Sequence, residues 1–197
     1  MGRIVEVEAY LGPEDLASHA RFGRTPRVAT MYGPAGRAYV YRVYGMYACL
    51  NVVTGPAGVP SAVLIRAVAP LDGESAFRTA RLGQELDRRR STRTRGADPA
   101  AEAAAGARVA RLPFARLASG PGLVGAAFDI DTSLDGLDLC DPASVLRLEP
   151  APADEPAPKI HATARIGVGY AGPAWAERRL RFLVTGDPSV SGPGKHR

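Results

Sequence analysis

Residues 3–10 alternate with the period of a β-strand. Val5, Val7 and Ala9 take one face, while Glu6, Glu8 and Tyr10 take the other together with Ile4. Alternation alone reads such a polar face as solvated. Residues 11–36 break the pattern with Gly12-Pro13, Gly23, Pro26, Gly33-Pro34 and Gly36, a run of turn formers. Pro13 to His19 fits a helical turn with acidic residues at its start. Two β-rich runs follow, 37–44 and 47–53, and Gly45-Met46 between them predicts a hairpin. Tyr44 and Met46 then stand at its tip, where folding gives little reason for large apolar groups. Residues 61–68 form another strand, apolar except for Arg66. A helix is predicted over 74–86, and final strands over 162–169 and 180–184. Short strands, few helices and no internal repeat predict a single α+β domain on an antiparallel sheet.

Two stretches stand apart. Between 78 and 116 ten arginines accompany four acidic residues, so 87–116 reads as a basic, Ala-rich insertion, loop or helix. Residues 150–158 form a Pro-rich extended loop. The length of 197 residues suits one domain with a substantial core. A net charge of +5 leans toward an acidic partner such as nucleic acid. Of the 25 basic residues only Lys159 and Lys195 are lysines. Arginine's planar fork suits phosphate, but Arg, Ala, Gly and Pro are all abundant here, as a GC-rich genome would make them. Cys49 and Cys140 lack the spacing of a metal site and read as buried thiols rather than a disulfide. The first residues do not resemble a secretion signal, and no apolar run reaches the ~20 residues of a membrane helix. A cytoplasmic location is expected.

The candidate chemistry is aromatic and basic. Five of the seven tyrosines fall between 32 and 47, interleaved with Arg24, Arg27, Arg37 and Arg42. Such a cluster can stack nucleobases beside phosphate contacts, although tyrosine also simply favours strands. Arg66, alone in an apolar strand, needs a partner, and Glu8 is the natural candidate.

The run Gly2-Arg-Ile-Val-Glu-Val-Glu-Ala-Tyr-Leu-Gly-Pro-Glu-Asp-Leu-Ala-Ser-His19 resembles the alkyladenine (3-methyladenine) DNA glycosylase family. So do Tyr39-Val-Tyr-Arg-Val-Tyr-Gly-Met-Tyr-Ala-Cys-Leu-Asn51, Leu64-Ile-Arg-Ala67 with Pro70-Leu-Asp-Gly73, and Ala118-Ser-Gly-Pro-Gly122. Arg165-Ile-Gly-Val-Gly169, Leu180-Arg-Phe182 and Pro188-Ser-Val-Ser191 complete the match, in family order over nearly the whole chain. The resemblance implies a curved antiparallel sheet with a protruding hairpin and surrounding short helices. It implies a monomer that binds double-stranded DNA containing damaged purines and needs no cofactor or metal. Glu8 falls at the general base that activates water, with Arg66 near that water and Ile166 offering it a backbone carbonyl. Tyr10, His19 and Tyr41 fall at the positions that sandwich the flipped base, and Asn51 lies against the purine edge. Tyr44, with Met46 beside it, falls at the wedge inserted into the duplex. No lysine sits where a Schiff base would form, which implies direct hydrolysis without lyase activity.

Two departures matter. The family carries a helix and a strand ahead of the Gly-Arg-Ile-Val segment, whereas this chain starts at Met1, so the Glu8 strand is expected at a frayed terminal edge. After Gly120-Pro-Gly122 the family has a Lys where this chain has Leu123. Two rivals to a hydrolase of alkylated or deaminated purines are a lesion-binding protein without catalysis and a generic single-strand-binding β module. Carboxylates repel phosphate, which counts against the second rival, and a binder has no need of Glu8.

Overall fold

A computed structural model describes residues 1–92 and 98–192. Residues 93–97, within the basic stretch, and 193–197, which include Lys195, lie outside the described residues. Among the described residues six strands form one antiparallel sheet: β1 (Gly2–Tyr10), β2 (Ala38–Val43), β3 (Tyr47–Val53), β4 (Ala62–Pro70), β5 (Ile160–Thr163) and β6 (Arg181–Val184). Their order across the sheet is β2-β3-β4-β1-β6-β5. Among the described residues four α-helices accompany it: α1 (Glu74–Thr92), α2 (Pro99–Ala110), α3 (Pro121–Ala127) and α4 (Pro173–Ala176). None of the described helices is long and apolar enough to cross a membrane.

β1 is not a terminal edge. It pairs with β4 on one side and β6 on the other, so the strand bearing Glu8 has its backbone bonded from both directions. Its apolar residues do not share one face either. The register shifts between Ile4 and Val7, and Val5 buries with Ala67, Leu183 and Val190 while Val7 packs on the main core. A bulge re-aims side chains in this way.

The main core lies on one face of the sheet. Val40, Ala48, Leu50 and Ile65 pack there against Phe77 of α1 and Val124 and Ala127 of α3. α3 comes close because it contains glycine. A Cβ on Gly125 would stand 2.2 Å from the Ala48 carbonyl oxygen. Phe77 meets the rings of Phe114 and Phe128 at centroid distances of 6.2 and 4.9 Å. The opposite face is covered by the short 3-10 turns His19–Phe22 and Pro26–Tyr32, which bury Ala20, Val28 and Met31 against Tyr39, Val53 and Ala62.

The basic stretch is mostly helix. α1 runs on past the predicted end through three consecutive arginines, which favour helix, and α2 is capped by Asp98, whose side chain accepts from the N–H groups of Ala100 and Ala101. α2 docks through buried Ala105 and Val109, and Arg78 donates to the carbonyls of Val109 and Leu112. Residues 150–158 are irregular, with one turn. The strand predicted over 162–169 covers only Ile160–Thr163, because its partner β6 begins at Arg181, opposite Thr163, and Gly167 beyond it turns the chain with a positive φ of 77°. Cys49 is buried, but Cys140 is exposed, contrary to the expectation of two buried thiols.

Candidate active site

The face opposite the main core carries one row of side chains across all six strands. Tyr39 opposes Asn51, Asn51 opposes Leu64, Leu64 opposes Glu8, Glu8 opposes Arg181, and Arg181 opposes Thr163. Directly opposed residues share a face. Tyr41, Cys49, Arg66 and Tyr10, two positions along their strands, lie on the same side.

Glu8 has no exposed surface. Its Oε1 accepts from the Ile166 backbone N–H at 2.7 Å and stands 3.2 Å from Arg66 Nη1. Its Oε2 accepts from the Tyr10 hydroxyl at 3.0 Å. Arg66 is shared: its Nε donates to Glu6 Oε1 at 2.9 Å. The sequence reading paired Arg66 with Glu8, and the structure adds Glu6. It also places the N–H of Ile166 against the carboxylate. The solvated polar face suggested by alternation is instead a buried charge cluster.

A second buried pair ties the loops over this cluster. Arg165 grips Asp15 with Nη1 to Oδ2 at 2.6 Å and Nη2 to Oδ1 at 2.8 Å. Asp15 also accepts from the N–H groups of Leu11 and Ala17. Burial pushes the Asp15 carboxyl up, but Arg165 and those N–H groups outweigh it and hold it below the usual range. Arg165 lies 4.8 Å over the Tyr10 ring and immediately precedes Ile166. The pair thereby joins the loop carrying His19 to the loop that touches Glu8.

The aromatic groups assemble beside Glu8. His19 Nδ1 is 3.0 Å from the Tyr39 hydroxyl, and the His19 ring meets Tyr41 edge-on at 4.5 Å. Burial, reinforced by the positive charges of Arg27 and Arg21, lowers the His19 imidazole to about 4, so it is neutral at physiological pH. Burial raises Tyr10 and Tyr41 far above the ordinary phenol value, with the Glu8 charge adding to both. Their hydroxyls stay protonated. Asn51 donates its amide to the Tyr39 carbonyl at 3.0 Å.

These groups line one cavity of about 730 Å³, inside the usual size range for small-molecule sites. Glu8, Arg66, Tyr10, His19, Tyr41, Asn51, Ile166 and Tyr44 all contribute to its wall. Met46 does not; it is the last residue of the turn, half-buried, and its N–H donates to the Val43 carbonyl. Tyr44 is 85% exposed with φ 54°, and Gly45 follows at φ 67°. A non-glycine residue in this region costs roughly 1–2 kcal/mol, and a ring this exposed recovers little of it by packing. Leu123 also lines the cavity, at the position where a Lys was expected.

Sequence reasoning set Glu6 on the face of Glu8 and Tyr39 in the aromatic cluster without giving either a role, and it missed Asp15, Arg165, Arg181 and Ser191 as parts of the site. Arg181 carried the same signal as Arg66, an arginine inside an apolar strand, and the same rule would have found it.

The family model described as methylpurine-DNA glycosylase matches residues 1–188. The chain belongs to the methylpurine-DNA glycosylase family. Relatives share its sequence closely. A protein of Anaeromyxobacter dehalogenans named putative 3-methyladenine DNA glycosylase is 43% identical over 97% of this chain and 70% of its own length. The DNA-3-methyladenine glycosylases of mouse and human are 44% and 42% identical over 96% of this chain. The chain spans 51% of the mouse protein and 56% of the human one. Family membership carries the coarse role, a DNA glycosylase of DNA repair. The fully buried carboxylate beneath the aromatic cavity is the feature of this glycosylase that any account of its chemistry must explain.

Proposed function

We propose that this protein flips alkylated or deaminated purines, of the 3-methyladenine, 7-methylguanine and hypoxanthine class, out of duplex DNA. It then hydrolyses the glycosidic bond with a water activated by Glu8 and leaves an abasic site. The observation that carries this reading is the setting of Glu8 under the aromatic cavity. Two hydrogen bonds, from the Tyr10 hydroxyl and the Ile166 N–H, and an ion pair with Arg66 fix the carboxylate without filling its roughly four acceptor positions. An open position takes the water, whose proton passes to Glu8 as the oxygen attacks C1′ and the purine leaves.

The walls suit the substrate. An N3- or N7-alkylated purine is cationic, and aromatic faces attract cations. A neutral His19 adds a ring without adding repulsion. His19 and Tyr41 touch too closely to admit a ring between them, so the base stacks beside this pair, toward Tyr10. Tyr44 fills the gap left in the duplex, where unstacking costs a few kcal/mol per step. Among the described residues no lysine amine lines the cavity, and Lys159 is exposed ahead of β5. Direct hydrolysis by a monomer, without strand cleavage, follows from this reading.

The test is duplex DNA carrying one hypoxanthine or one 7-methylguanine, incubated with the protein and then treated with alkali to cut abasic sites. Breaks at the lesion are expected, with a loss of about 100-fold or more in Glu8→Gln. Activity that survives Glu8→Gln refutes the general base. Lesion-selective binding without breaks refutes hydrolysis and favours a binder.

A further inference from the structure

Glu6 and Glu8 are alternate residues of β1 and both are buried, yet the proposed reaction uses only Glu8. Glu6 is engaged by four donors. Its Oε1 accepts from Arg66 Nε at 2.9 Å, Arg181 Nε at 2.6 Å and Ser191 Oγ at 3.1 Å. Its Oε2 accepts from the Ser191 N–H at 2.6 Å. Burial by itself pushes the Glu6 carboxyl up, but the Ser191 N–H and the two guanidinium groups outweigh it and hold it below the ordinary range. Glu6 is therefore a fixed negative charge. Arg66 stands between the two carboxylates, Nε on Glu6 and Nη1 on Glu8. A guanidinium already bound to one carboxylate presents less positive potential to a second.

We infer that Glu6 is a positioning residue that holds Arg66 in place and offsets its charge, so that Glu8 keeps the basicity to take a proton from the attacking water. The inference rests on the glycosylase reading above. Without Glu6, Arg66 and Arg181 would have only Glu8 between them, and a carboxylate flanked by two cations accepts a proton poorly. The groups facing Glu8 come from every neighbouring element: Tyr10 and Glu6 on β1, Tyr41 on β2, Arg66 on β4, Arg181 on β6, and Arg165 after β5. Glu6 is the one negative charge in this set. Its removal shifts the balance one way, and removal of Arg181 shifts it the other.

The test is the single-turnover rate of 7-methylguanine excision from duplex DNA as a function of pH, for the wild type, Glu6→Gln and Arg181→Gln. This lesion is already cationic, so the acid limb of the profile reports the protein's base and not protonation of the purine. Two unit charges about 7 Å apart, the spacing of alternate strand residues, perturb each other by roughly one and a half pH units at an effective dielectric of about 20. The acid limb is expected about one to two units lower in Glu6→Gln, with a plateau at least about tenfold slower. In Arg181→Gln the limb is expected to move upward. A merely structural Glu6 would lower the folded fraction and leave the limb in place. An unmoved limb in folded Glu6→Gln, or shifts of the same sign in both variants, overturns the inference. If Glu6→Gln fails to fold, Arg181→Gln decides alone: an upward limb supports the inference and an unmoved one overturns it. Absence of wild-type excision overturns the glycosylase reading and the inference together. Wild-type excision abolished by Glu8→Gln, with unmoved limbs in the other variants, overturns the inference alone.

Discussion

Replacing Asp15 by Asn is expected to destabilise the fold by about 3–5 kcal/mol, because it breaks a buried ion pair from one side only. Both Asp15 oxygens are committed in the folded protein. Oδ2 accepts from Arg165 Nη1 at 2.6 Å and Leu11 N at 3.1 Å, and Oδ1 from Arg165 Nη2 at 2.8 Å and Ala17 N at 3.0 Å. Neither side chain of the pair has exposed surface. Asn keeps the shape but turns one acceptor into a donor facing other donors. It also leaves the Arg165 charge buried without a counter-charge. A domain has only about 5–15 kcal/mol in total, so the loss is a large share of the stability. Urea unfolding followed by circular dichroism measures it. The single tryptophan, Trp175, whose carbonyl lies 3.5 Å from Arg165 Nη2, reports the local loop by fluorescence. The double variant Asp15→Asn with Arg165→Met removes charge and counter-charge together and should recover much of the loss. A single-variant loss below about 1 kcal/mol, or a double variant as unstable as the sum of its parts, refutes the buried-charge account.

Three further outcomes are expected. Unfolded His19 takes up a proton below its ordinary value of 6.5, and the folded form refuses it until about 4, so stability is full above that window and falls as the pH drops through it. His19→Gln should remove this part of the loss in urea midpoints compared at about pH 7 and about pH 5; Glu6 and Asp15, whose folded values are depressed, add their losses at lower pH still. Tyr44→Ala should weaken binding to lesion-bearing duplex at constant salt while leaving the melting temperature nearly unchanged, since the ring is 85% exposed; unchanged affinity would exclude the wedge. Gly125→Ala should cost about 1–3 kcal/mol in thermal unfolding, because its Cβ would press on the Ala48 carbonyl at 2.2 Å; a neutral result would mean that α3 shifts freely on β3.

Much of the site was legible because its signals are local. Period-two alternation placed Glu6, Glu8 and Tyr10 on one face, and the Gly45 turn placed Tyr44 at a hairpin tip. The family motifs supplied His19, Tyr41, Asn51 and Arg66, which the structure brings to one cavity. Met46 does stand in the turn with Tyr44, but it is half-buried there, its N–H bonded to the Val43 carbonyl, and it does not reach the cavity wall. The strand predicted through Gly169 ignored Gly167, whose positive φ turns the chain over Glu8. The apolar neighbours of Cys140 predict a buried thiol, whereas its side chain sits at the surface beside Gly36.

The sequence by itself determined which strands form, which residues alternate to the polar side, and which family the chain resembles. Periodicity, turn formers and motifs are properties of neighbouring residues. Only the tertiary structure decided that the polar side is buried and which charges meet there. Glu6 reaches Arg66 across 60 residues, Arg181 across 175 and Ser191 across 185. Those meetings follow from the strand order β4-β1-β6, which no local pattern encodes. The same order turned Glu8 from a residue on an expected frayed edge into a carboxylate held from both sides, because a strand's environment is set by the strands that pair with it.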